Sequence, residues 1–164
     1  MYYKPFTFFK FLLKSQNQHG LHSPFVYDFV TKGLYKKKVK KIDFSKYNLF
    51  NNLSKKKQII LTKIINYFNI DEINFDEKNL PNTLDKTYKL LYISNIELIN
   101  VFDFSNFNSK NIILINGIYQ TKKKYKTWQK IINNKEVTVS IDLFYFGLIF
   151  FRKEQAKEHF IIRV

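Results

Sequence analysis

Chemistry in this chain would start from its histidines, of which there are three. His19 and His22 flank Gly20 just ahead of Ser23-Pro24, and two imidazoles three residues apart can share a metal ion. A closed metal site needs further ligands, yet the chain has no cysteine and no carboxylate lies within the same turn. Bonds from the imidazole nitrogens to backbone groups near a helix start are therefore the expected role. His159 sits beside Glu158 and suggests no function. Asp142 ends an alternating segment and reads as a turn former rather than a catalytic acid. Ser23 precedes a proline at a first helical position, so it reads as a cap. It has no identifiable base and is not read as a nucleophile. No catalytic, cofactor-binding or metal-binding residue is assigned from the sequence.

The elements that would position these groups follow from the apolar pattern. Lys4–Lys14, with Phe6, Phe8, Phe9, Phe11, Leu12 and Leu13, reads as a short apolar helix. Packing against its own domain is favoured over lying on a membrane surface, since only three lysines accompany it. Ser23-Pro24 opens a helix expected to run to Thr31 and end at Gly33. Lys36–Asn52 is polar and basic and reads as a loop. Ser54 caps a helix to Asn69 that buries Ile60, Leu61, Ile64, Ile65 and Phe68 and leaves Lys55, Lys56, Lys57 and Lys63 in solvent.

Ile70–Phe75 reads as a short strand, Asp76–Thr87 as irregular around Pro81, and Ile96–Phe107 as ambiguous. Lys89–Ser94 and Asn111–Asn116 have the short apolar runs of buried parallel strands. Thr121–Asn133 is an amphipathic helix with Tyr125, Trp128 and Ile132 on one face. Val137, Val139 and Ile141 then alternate with Thr138, Ser140 and Asp142, the period of a strand. The apolar run Leu143–Phe151 is interrupted only by Gly147, which marks a bend or a close approach. Strand and helix alternate from Ile70 onward, which argues for an α/β layered sheet.

Composition narrows the classes. A chain of 164 residues reads as one domain, divided into N-terminal helices over 1–35 and an α/β core over 54–164. Absent cysteines exclude disulfides and suit a reducing cytoplasm. No apolar stretch is long enough to span a membrane, and no signal peptide is expected. The net charge of +15 invites a nucleic-acid reading, but of the 28 basic residues only Arg152 and Arg163 are arginine. Bidentate recognition of bases and phosphates favours arginine. The preferred residues, Asn, Ile, Phe, Tyr and Lys, all have A/T-rich codons, so codon bias explains the charge more simply. RNA remains a partner that is not favoured.

The segment from Glu136 to Val164 resembles the C-terminus of a bacterial family of class I S-adenosylmethionine (SAM)-dependent methyltransferases, in which two strands form the reversed hairpin that ends the sheet. Asn17–Asp28 is similar to the same family. Tyr88–Asn95 resembles its fourth strand, where an aspartate–glycine pair usually stands at the positions of Ser94 and Asn95. Ile112–Thr121, with Trp128 downstream, is similar to its fifth strand and following helix, with an aspartate pair and a histidine usual at Asn116, Gly117 and Tyr119.

The resemblance implies a reduced Rossmann-like α/β sheet of about five strands ending in an antiparallel hairpin, preceded by N-terminal helices. It also implies what this chain lacks. Ile70–Phe75 takes the place of the first strand, yet Asp76–Pro81 follows without the glycine turn that lets the backbone approach SAM. The second and third strands have no counterpart. The expected function is thus a SAM-dependent methyltransferase-like protein with impaired or lost SAM binding and catalysis, so no cofactor is expected. The alternative is a non-catalytic binding or scaffold protein that contacts RNA or a partner protein. Loss of the second strand would make Ile70–Phe75 an edge and leave Leu90, Tyr92 and Ile113 poorly shielded. Residues 1–33 are expected to cover that gap, with a homodimer or a partner protein as alternatives.

Overall fold

The computed structural model describes residues 5–50, 52–75, 87–97 and 103–164. Lys4, most of Asp76–Thr87 and the middle of Ile96–Phe107 lie outside them. Contacts divide the chain into two compact units, Met1–Gln16 with Glu72–Arg163, and Asn17–Asp71 with Val164. Among the described residues the fold is mixed α/β, with four α-helices and a six-stranded mixed sheet.

The helical unit contains α2 (Pro24–Asp28) and α3 (Lys55–Phe68). Ser23 caps α2 as expected, its Oγ accepting from the Val26 N–H at 3.3 Å. The helix does not end at Gly33. It widens into a π-helical turn over Phe29–Leu34, and Gly33 is buried within it. A Cβ on Gly33 would lie 2.9 Å from the Tyr67 ring, so the glycine serves ring packing rather than chain termination. Phe29 lies 5.0 Å from Phe68 and 5.2 Å from Tyr67 between ring centres. Ser54 caps α3, and Asn69 closes it in the left-handed conformation at φ 49°. Lys63 is less solvated than expected, because its Nζ donates to the Leu34 carbonyl. Lys36–Asn52 is more than a polar loop. Phe50 is fully buried there against the rings of Phe44 and Tyr47.

The sheet unit contains α1 (Pro5–Lys14) and α4 (Lys122–Ile132). Its strands are β1 (Ile73–Asn74), β2 (Lys89–Ile93), β3 (Asn111–Asn116), β4 (Val139–Asp142), β5 (Phe146–Phe150) and β6 (Glu158–Ile161). The order is β1-β2-β3-β5-β4-β6. β1, β2 and β3 run parallel, β5 lies antiparallel between β3 and β4, and β6 runs parallel to β4. Leu90, Ile112–Ile115 and Leu148–Phe150 are almost wholly buried, as their unbroken apolar runs require.

Two expectations need correction. The hairpin β4–β5 forms, but it does not end the sheet. Glu158–Ile161 adds a sixth strand, and Gln16 extends that edge by donating to the Ile161 carbonyl at 2.7 Å. The alternation along Val137–Asp142 does give a strand, β4, and both of its faces are covered. Between two neighbours, Ser140 and Asp142 are as buried as Val139 and Ile141. Ile70–Phe75 yields a strand of only two residues, and Leu90, Tyr92 and Ile113 are buried rather than poorly shielded.

Candidate functional site

The residues singled out by the methyltransferase resemblance gather at one end of the sheet. Ile93 and Ile115 are in register, so the turns after β2 and β3 leave side by side. Gly117 takes φ 68°, which glycine adopts without strain. Its N–H donates to the Tyr145 carbonyl, and its own carbonyl accepts from Gln120. The Gln120 side chain fills the space above it, 2.5 Å from where a Cβ would stand. Asn116 is hydrogen-bonded to Tyr92, whose hydroxyl is pushed up to about 12 by burial, against the opposing effect of that bond. Asn95 accepts from the Glu97 N–H at 3.3 Å, and Ser94 is exposed. Ile96 and Ile118, next along each turn, are fully buried in the apolar cluster that holds Leu91, Ile113 and Trp128.

Tyr119 makes a short polar contact in this region. Its hydroxyl donates to Asp142 Oδ2 at 2.5 Å, while Asp142 Oδ1 accepts from the Phe144 N–H at 2.8 Å. Asp142 is thus the turn former expected, and also the anchor for a tyrosine from the turn after β3. Burial raises the Asp142 carboxyl to about 6, although both hydrogen bonds pull the other way. Burial first, and then the Asp142 charge, hold the Tyr119 hydroxyl protonated far above its ordinary range. With both carboxylate oxygens engaged inside the protein and the side chain 1% exposed, the pair fastens the hairpin turn to the end of β3. The turn needs that fastening, because Phe144 adopts φ 65°, an unfavourable conformation for a bulky residue. Its ring stacks on Tyr119 at 5.0 Å.

Beside this pair lies a cleft of about 480 Å³. Its lining includes Lys10 and Lys14 of α1, Tyr119, Tyr125 and Trp128, and His159 of β6. Trp128 is held by its six-membered ring, which lies over Gly147 so closely that a Cβ there would be 2.7 Å away. Gly147 therefore marks a close approach, and Trp128 is on the buried face of α4, both as expected. Its Nε1 is buried without a hydrogen-bond partner among the described residues. His159 shares a 2.8 Å hydrogen bond between its Nδ1 and Ser140 Oγ. Desolvation of that inward side lowers its pKa, more than the bond with Ser140 restores.

His19 and His22 stay outside this constellation. Both are exposed, and the imidazole-to-backbone bonds expected of them do not form among the described residues. The turn there is held instead by Asn17, whose Oδ1 accepts from the His19 N–H. Among the described residues no cluster of His, Asp and Glu could hold a metal ion.

Comparison of the chain with protein-family models, with curated proteins and with solved structures finds no match. The class defined by the structure is a mixed α/β domain with one mixed sheet.

Proposed function

We propose that this chain is a reduced, methyltransferase-like α/β domain that has given up methyl transfer and works by binding. The observation that carries the reading is the closure of the strand ends after β2 and β3. Tyr92 meets Asn116, Gln120 packs over Gly117, and Ile96 and Ile118 turn into the core. A cofactor lying across those ends would need an open backbone turn and acidic side chains to receive ribose hydroxyls. The sheet order supports the Rossmann-like ancestry, since an antiparallel β5 inserted between β3 and β4 is the reversed hairpin implied by the resemblance. Of the carboxylates near these turns, Asp142 is spent on Tyr119 and Phe144, and Glu97 pairs with Lys123.

Thermal unfolding in the presence of SAM tests the reading. The midpoint should not move. A stabilisation of about 2.7 kcal/mol, expected when ligand stands at a hundredfold excess over its dissociation constant, would overturn it.

A further inference from the structure

Helix α1 has two apolar sides, and the fold uses only one. Phe11 is buried in the sheet unit's core, with its ring 5.3 Å from Phe144 and 6.2 Å from Tyr119. Phe8 meets Phe144 edge-on at 4.8 Å, and Leu12 packs against the same cluster. On the opposite side Phe6, Phe9 and Leu13 follow the i, i+3, i+7 spacing of a single helical stripe. They are 70%, 57% and 72% exposed. Such residues are ordinary when scattered, but a continuous stripe marks a surface that meets something apolar. Lys10 and Lys14 stand beside the stripe, and the helix has no acidic residue.

We propose that α1 seats the chain on an anionic lipid surface. Phe6, Phe9 and Leu13 enter the boundary between headgroups and acyl chains, and Lys10 and Lys14 meet the lipid phosphates. Long lysine stems allow both at once, because the chain lies along apolar material while the ammonium stays at the polar level. A ten-residue helix is too short to form well alone in water. Here its inner face is already fastened by Phe8 and Phe11, so little ordering remains to oppose binding. The partner follows from charge. Attraction between a +15 chain and an anionic surface acts whatever the origin of the lysines, whereas two such chains repel each other. The packing expected for this helix is seen on one face, and the proposal gives the opposite face to the lipid surface.

Co-sedimentation of the full chain with vesicles tests the proposal. Binding to phosphatidylglycerol-containing vesicles is expected, with pure phosphatidylcholine bound at least roughly tenfold more weakly and high salt weakening the anionic case. The triple variant Phe6→Ser, Phe9→Ser, Leu13→Ser should lose about tenfold or more on anionic vesicles while keeping the wild-type unfolding midpoint. Three results would overturn the proposal: no binding of the wild type to anionic vesicles; equal binding by the triple variant, which would leave only a diffuse lysine effect; or a dimer in light scattering that the triple variant dissociates, which would give the stripe to a second copy.

Discussion

The two halves of the sheet are built differently. In the hairpin half β4 and β5 meet over four registered pairs, while in the other β1 meets β2 over two. The hairpin half is held by contacts that fit in only one way: Trp128 against Gly147, Tyr119 on Asp142, and the Phe144 turn clasped by both. Around β1 the stabilisation comes from apolar burial of residues such as Ile73 and Leu90, without a comparable polar clasp among the described residues. Specific packing fixes a unique arrangement, whereas general burial supplies stability that tolerates change. The short β1 also suits its place at an edge, because a two-residue strand presents little unpaired backbone to another chain.

The largest expected effect lies in the hairpin half. Trp128→Ala should cost about 3–5 kcal/mol in denaturant unfolding, against about 1 kcal/mol for Ile73→Val in the β1 half. Equal losses would erase the contrast between the halves. Indole emission should be blue-shifted and resist iodide quenching in the native protein, and free quenching would place Trp128 elsewhere.

Asp142 gives the next largest effect, and it depends on pH. Its carboxyl binds a proton more tightly in the folded chain, at about 6, than in the unfolded chain near 3.9. The stability it contributes is therefore greatest below about pH 4 and is lost as pH rises through about 6, by up to about 3 kcal/mol. His159 acts in the opposite sense, losing stability as pH falls below its unfolded value. Asp142→Asn can keep the Phe144 bond through Oδ1 and offer Nδ2 to the Tyr119 oxygen. The wild type should lose stability relative to this variant between pH 4 and pH 7, and His159, present in both, drops out of the difference. A pH-independent difference would show that the buried carboxyl does not titrate in this range.

Gly147→Ala should cost about 1–3 kcal/mol through the clash with the indole. In a Trp128→Ala background the same change should cost much less, and a double-mutant cycle measures that coupling directly. Additive losses would mean the two residues do not restrain each other. The smallest effect belongs to Phe6→Ser on the exposed side of α1, which should change stability by less than about 0.5 kcal/mol. A larger loss in unfolding would show that this face is packed in solution.

Local chemistry made part of this legible in the sequence. The Ser23 and Ser54 caps, the Asn69 stop, the α4 face and the Gly147 approach all depend on residues close in the chain or on one side chain's absence. Long-range pairing was legible only in part: the parallel strands β2 and β3 and the β4–β5 hairpin form as expected, but other partners did not show. Asp142 looked like a turn former, and one of its oxygens is, but the other is taken by a residue 23 positions earlier. β6 escaped notice because Glu158 and His159 are polar and exposed, and only its parallel ladder to β4 makes it a strand. Gly33 carries the same signal for a helix end as for a ring contact, and only Tyr67 decides between them. The side chains that fill the strand ends after β2 and β3, Gln120, Ile96 and Ile118, gave no sign of that closure in the sequence, and the glycine-free Asp76–Pro81 lies outside the described residues.

Calorimetric titration of SAM into the purified chain measures the central claim most directly. Closed strand ends predict only the heat of dilution across the titration, at protein concentrations where a micromolar site would saturate. A saturable one-to-one isotherm would mean that the turns after β2 and β3 open to admit the cofactor, and the account of a binding domain that has given up methyl transfer would be wrong.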